Sequence, residues 1–166
     1  MNAKGFMYCD LYEVLAETSF LLTDAAYRVI TALITRLDYR LETTISVMSY
    51  RELATRTRKP LGVISTALRE LEEKGYLTIT SGMKEKEKAR EMRAQLYKRS
   101  QNPTRSYNEI NGYDLAGLLE FVSLYYRLTK IYDRKELLDL LYEHTNKRQT
   151  GTPYQVIMMG LLDVNI

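Results

Sequence analysis

The side chains in this sequence best able to do chemistry are cationic, and they are clustered. Arg51, Arg56, Arg58 and Lys59 stand within nine residues and face only Glu52, so the segment 51–59 carries +3. Lys84, Lys86, Lys88, Arg90 and Arg93 open a second segment, 84–99, which holds seven basic groups against Glu85, Glu87 and Glu91 and carries +4. The whole chain has 24 Lys and Arg, 21 Asp and Glu, and a net charge of only +3, so everything outside these two segments sums to −4. A polyanion feels local clusters and not the mean. Mixed charge runs are also common on solvated helix faces, which is the plain alternative for 84–99.

Other chemistries lack their residues. There is no glycine-rich phosphate loop, zinc spacing, nucleophile elbow or His–Cys pairing, so the chain reads as a non-enzyme with no cofactor and no metal. The single histidine, His144, has no second ligand nearby and reads as structural. Asp133 and Glu136 are spaced as a capping box, which explains them better than acid catalysis. The lone Cys9 has no disulfide partner, and the longest apolar runs fall far short of the roughly 18 residues of a membrane span. Asp10 and Glu13 interrupt any signal-peptide core, so the expectation is a cytoplasmic protein. With 166 residues, 45% hydrophobic and 27% charged, the chain is long and apolar enough to fold.

The elements that must position the cations follow from periodicity and caps. A short helix is expected over about Asp10–Ser19. Thr23 is a good N-cap for a helix over 24–38, with Ala26, Val29, Ile30, Leu33, Ile34 and Leu37 on one stripe. Thr43–Met48 reads as a short β-branched strand. Ser49 and Glu52 form a capping box that opens a helix from Tyr50 to about Thr57. Pro60 suits the start of the next helix, over 60–74, whose buried face is Leu61, Ile64, Leu68 and Leu71 and which ends at a left-handed Gly75. Tyr76–Thr80 reads as a strand, 83–99 as an exposed helix or loop, Tyr107–Ile110 as a second strand, and Asn111-Gly112 as a turn. Three helices follow: 114–131, Asp133 to about Thr145, and one opened by Thr152, Pro153 and Gln155 as N-cap, first and third helical positions.

From residue 24 the order is helix, strand, helix, turn, helix, strand, charged excursion, strand. The stretch Leu53–Leu77, LATRTRKPLGVISTALRELEEKGYL, strongly resembles the recognition unit of winged helix-turn-helix proteins. "LRELEEKGYL" is similar to regulators of the multiple-antibiotic-resistance-regulator type and to phage and plasmid replication initiators. "SYNEINGYDLAGLLE" looks more like the replication proteins. The resemblance covers about 24–113. It implies a mainly α fold with a small β wing and additional N- and C-terminal helices. Residues 1–113 would form the winged helix-turn-helix domain with a long basic wing, and 114–166 a C-terminal helical extension. Two departures stand out: Arg58 replaces the usual turn glycine, and Lys59 occupies a usually apolar position. A non-glycine residue in a left-handed turn costs roughly 1 kcal/mol.

What the resemblance implies is duplex DNA binding. The helix 60–74 would enter the major groove, presenting Gly62, Ser65, Thr66 and Arg69, with Arg69 reaching a guanine edge or a phosphate. Arg51, Arg56, Arg58 and Lys59 would grip phosphates, and Lys84, Lys86, Lys88, Arg90 and Arg93 would sit on the wing tip. The apolar helices after residue 113 must bury against this domain or against a second copy, and a homodimer through the C-terminal helices is expected. The leading expectation is a transcription regulator. Its rivals are a replication or partition protein of a plasmid or virus, and a winged-helix adaptor that binds only protein.

Overall fold

Two side-chain caps set the frame. The Thr23 hydroxyl accepts from the Ala26 N–H at 3.3 Å, and the Ser49 hydroxyl accepts from the Glu52 N–H at 3.1 Å, so each starts a helix where its sequence signature predicts one. A computed structural model describes residues 8–37, 43–80, 110–147 and 153–163. In chain order these contain α1 (Tyr8–Glu17), a 3-10 turn (Ser19–Leu21), α2 (Asp24–Ile34), β1 (Ile45–Ser49), α3 (Tyr50–Thr57), α4 (Leu61–Glu73), β2 (Thr78–Thr80), β3 (Ile110–Asp114), α5 (Ala116–Leu128), α6 (Arg134–Lys147) and α7 (Tyr154–Asp163). The described chain is therefore mainly helical with one small sheet. No helix among the described residues is long and apolar enough to cross a membrane.

The sheet is antiparallel in the order β1-β3-β2, with β3 in the centre. This corrects the expected turn at Asn111-Gly112. Asn111 pairs with Met48, and Gly112 lies opposite Val47 on one side and Thr80 on the other. A central strand finds hydrogen-bond partners along both edges, and that outweighs the local turn preference of Asn-Gly. Most of the strand expected over 107–110 lies outside the described residues. Tyr76 and Leu77, expected to begin β2, instead precede it as buried connecting residues.

Ile30, Leu33 and Ile34 of α2, Ile64, Leu68 and Leu71 of α4, and Phe121, Val122 and Tyr125 of α5 belong to one continuous buried cluster. The C-terminal helices therefore bury most of their apolar stripe within their own chain. Seven residues of α5 alone are buried there, which answers half of the choice between self-packing and dimerisation. Tyr76, Phe121 and Tyr154 form an aromatic triangle that joins the end of α4 to α5 and α7. Its ring centroids are 5.1 Å (Tyr76–Phe121), 6.2 Å (Tyr76–Tyr154) and 6.3 Å (Phe121–Tyr154) apart.

The same junction carries a polar clamp. Gln155 donates its side-chain amide to the Gly75 carbonyl at 2.6 Å and to the Gly117 carbonyl at 2.7 Å. This corrects the expected role of Gln155 as a capping-box residue: α7 begins at Tyr154, and the Gln155 side chain is spent on other elements. Gly75 takes φ +88°, the predicted left-handed helix end. A Cβ on Gly117 would overlap the Gly75 carbonyl oxygen, so glycine is what lets α5 approach α4 here. Gly160, by contrast, has nothing within 4 Å of a built Cβ.

Chemical denaturation checks this contrast. Gly117→Ala should destabilise by about 1–3 kcal/mol or more, through overlap with backbone that cannot move aside. Gly160→Ala should be neutral or stabilise by up to about 1 kcal/mol. Equal effects at the two positions would contradict the close approach.

Candidate nucleic-acid interface

The turn between α3 and α4 consists of three residues, Arg58, Lys59 and Pro60. Arg58 has φ 56° and ψ 43°, and it is the one non-glycine residue with positive φ among those described. The missing glycine left open a turn of different shape, but the left-handed conformation is kept, with an exposed arginine in it. The Lys59 N–H donates to the Ala54 carbonyl at 3.2 Å, closing the turn over the end of α3. Backbone strain of this kind costs roughly 1–2 kcal/mol and tends to collect at functional positions.

Two carboxylates organise the cations around the turn. Asp24 faces Arg28 Nε at 3.1 Å and Lys59 Nζ at 3.5 Å. Glu52 accepts from Arg56 Nε at 3.1 Å and also pairs with Arg36. Each acid is shared by two bases, so this four-cation ladder keeps a surplus of positive charge. Exposed pairs add little to stability, but they hold long side chains in position. Arg56 also reaches the Thr35 hydroxyl at 3.4 Å and lines an open groove of about 400 Å³ with Tyr12, Arg28 and Thr31. It thus faces the α2 side rather than standing beside Arg58.

Helix α4 is held firmly at its C-terminal end. Glu70 accepts from the Thr23 N–H at 3.0 Å, the Thr23 hydroxyl at 2.7 Å and the Lys74 ammonium at 2.9 Å. Lys74 in turn donates to the Leu21 carbonyl at 2.8 Å, and its own carbonyl accepts from the Tyr154 N–H at 3.0 Å. Burial alone would raise the Glu70 pKa, but the Thr23 hydrogen bonds and the Lys74 charge outweigh it and leave the pKa below its ordinary value.

Along its outward face, α4 exposes Gly62 and Thr66 near its start and Arg69 beside the anchored Glu70, with Ser65 partly buried. These are the four positions expected from the sequence. Arg69 makes no ion pair with Glu72 or Glu73 among the described residues, and Glu72 instead accepts from the Ile79 N–H at 3.2 Å. Leu61, expected in the buried face, is 38% exposed, because it opens the helix and no preceding turn covers it. Val63, which the sequence did not single out, is 36% exposed. Arg51 is exposed on α3. Lys84, Lys86, Lys88, Arg90 and Arg93 lie outside the described residues. Sequence reasoning also missed Asp24 and Glu70: their i,i+4 partners Arg28 and Lys74 were a local signal, whereas Lys59 and Thr23 are brought to them only by folding.

Compared with known proteins, the chain matches no family model, no curated protein and no solved structure.

Two measurements follow from the geometry. Arg58→Gly should raise stability by about 0.5–1 kcal/mol in a denaturant melt, since glycine occupies the left-handed region without strain. A loss instead would mean that the arginine side chain supports the fold. The lowered Glu70 pKa implies a contribution present above the unfolded carboxylate value of 4.5 and lost as pH falls through the lower folded value. Glu70→Gln should flatten that acid limb of the stability curve, and an unchanged limb would refute the assignment.

Proposed function

We propose that the protein is a winged helix-turn-helix protein that binds duplex DNA and acts as a transcription regulator in the cytoplasm. The observation that carries the reading is the α3–turn–α4 unit. Its turn is cationic and strained, its second helix is fixed at the far end, and that helix turns outward an exposed Arg69 that has no ion-pair partner among the described residues. A three-stranded sheet, with β1 before α3 and β2 directly after α4, is the coarse arrangement a wing would need. In this reading Arg58 and Lys59, with Arg51, grip phosphates, Arg56 steadies the helix pair, and Arg69 meets a base edge or a phosphate. The basic segment 84–99 lies between β2 and β3 in the sequence and would extend the contact.

A second copy fits the same reading. Val156 and Met159 stay 59% and 50% exposed on α7, where Gly160 offers an open surface. Pairing through this face would make a two-fold dimer suited to two half-sites.

Affinity for a random-sequence duplex should fall steeply with salt, and Arg58→Ala with Lys59→Ala should lower the log–log slope by about two. Arg69→Ala should relax sequence preference among selected duplexes. A palindromic selected site supports the dimeric regulator, and iterated direct sites point to a replication initiator. Salt-independent binding, or none, refutes DNA as the partner. In sedimentation equilibrium, Val156→Glu with Met159→Glu should convert a dimer to a monomer. A wild-type chain that is monomeric at micromolar concentration would refute the dimer alone.

A further inference from the structure

The outward face of α4 has few groups able to use the hydrogen-bond code of a major groove. Gly62 has no side chain, and nothing lies within 4 Å of a Cβ built there. Leu61 and Val63 flank it, one on each side at 100° per residue, and both are exposed. One turn later the Thr66 hydroxyl donates back to the Gly62 carbonyl at 3.1 Å. Its proton is therefore engaged, and what Thr66 offers outward is a methyl group and acceptor lone pairs. Ser65 is partly buried. Arg69 is two turns from the helix start. The first turn and a half thus presents two branched side chains, about 200° apart on either side of Gly62, with a methyl group, acceptor lone pairs and exposed backbone between them.

Apolar residues at the tip of a helix with a cationic turn on one side suit an anionic partner that carries apolar features of its own. In the major groove the apolar feature is the C5-methyl group of a pyrimidine. Thymine always carries it, and cytosine carries it when methylated. We propose that the first turn of α4 reads thymine, packing Leu61 and Val63 against C5-methyl groups while Gly62 lets the helix backbone settle close to the base edges. This rests on the duplex-binding reading and gives it a base preference. Arg58 and Lys59 bring the phosphates to the turn, and the apolar tip then discriminates by the presence of a methyl group.

Exchange of thymine for uracil tests this directly, because uracil keeps the base pairing and removes only the methyl. The wild-type protein is titrated against a duplex selected from a random pool, and against the same duplex made with uracil. The uracil duplex should bind about fourfold more weakly for each contacted methyl, and tenfold or more for two. The double variant Leu61→Ala, Val63→Ala should bind the two duplexes alike with an unchanged salt slope. Replacing cytosine by 5-methylcytosine in the same duplex should leave affinity unchanged. Equal wild-type affinity for the thymine and uracil duplexes would overturn the proposal and leave duplex binding standing. A gain on the methylated duplex without a loss on the uracil duplex would also overturn it, by assigning the surface to 5-methylcytosine. Absence of salt-sensitive binding to any duplex would overturn both readings and leave Leu61 and Val63 as a protein-facing patch.

Discussion

The fixation of α4 at its C-terminal end is the constraint on which the rest of the structure depends. Four separate parts of the chain meet there. Thr23 at the head of α2 caps its own helix and binds Glu70. Lys74 ties α4 to the Leu21 carbonyl. Gln155 bridges Gly75 and Gly117, and the Tyr76–Phe121–Tyr154 triangle closes the apolar side. The bonds of Lys74 and Gln155 are part-buried and those of Thr23 exposed, and together they fix the direction of the helix as well as its position.

A helix held at one end can present the other. From Arg58 to Val63 the turn and the first helical turn are exposed except at the half-buried Lys59, and Ile64 is the first residue of α4 to be buried. The strain at Arg58 and the exposed apolar pair Leu61 and Val63 are both unfavourable for an isolated fold. Both fall on the same short stretch, beside Lys59 and its carboxylate partner Asp24. Local costs collected at one surface are the pattern expected where stability gives way to binding. The shared carboxylates Asp24 and Glu52 orient the surrounding cations without neutralising them.

Much of this fold was legible in the sequence, because its signals are local. The Ser49 and Thr23 caps act over three residues, and α3 was read to its observed ends, although the Glu52 carboxylate serves Arg36 and Arg56. Gly75 announced a left-handed helix end, whereas Arg58 gave no such signal and yet holds the left-handed conformation. What could not be read depends on tertiary neighbours. Gln155 has the spacing of a capping residue, and only folding brings it to a carbonyl 80 residues away. Asn111-Gly112 has the chemistry of a turn, and only two flanking strands make it the middle of a sheet. Leu61 shares the period of the core stripe but stands one position too early to be covered. On the outward face of α4, Gly62, Thr66 and Arg69 are exposed as read, Ser65 is partly buried, and the exposure of Leu61 and Val63 was not foreseen. The apolar character of that face emerged only when the Thr66 hydroxyl was seen to bind its own helix.

The central claim is that α4 is anchored at Gly75 and meets DNA through Arg58–Thr66. It is tested most directly by following backbone amide resonances of the full chain while a selected duplex is added. The account predicts that among the described residues the largest shift changes cluster at Arg58–Thr66, with Gly75, Gly117 and Gln155 nearly unmoved. Changes concentrated on α6 and α7, with Arg58–Thr66 unperturbed, would contradict it.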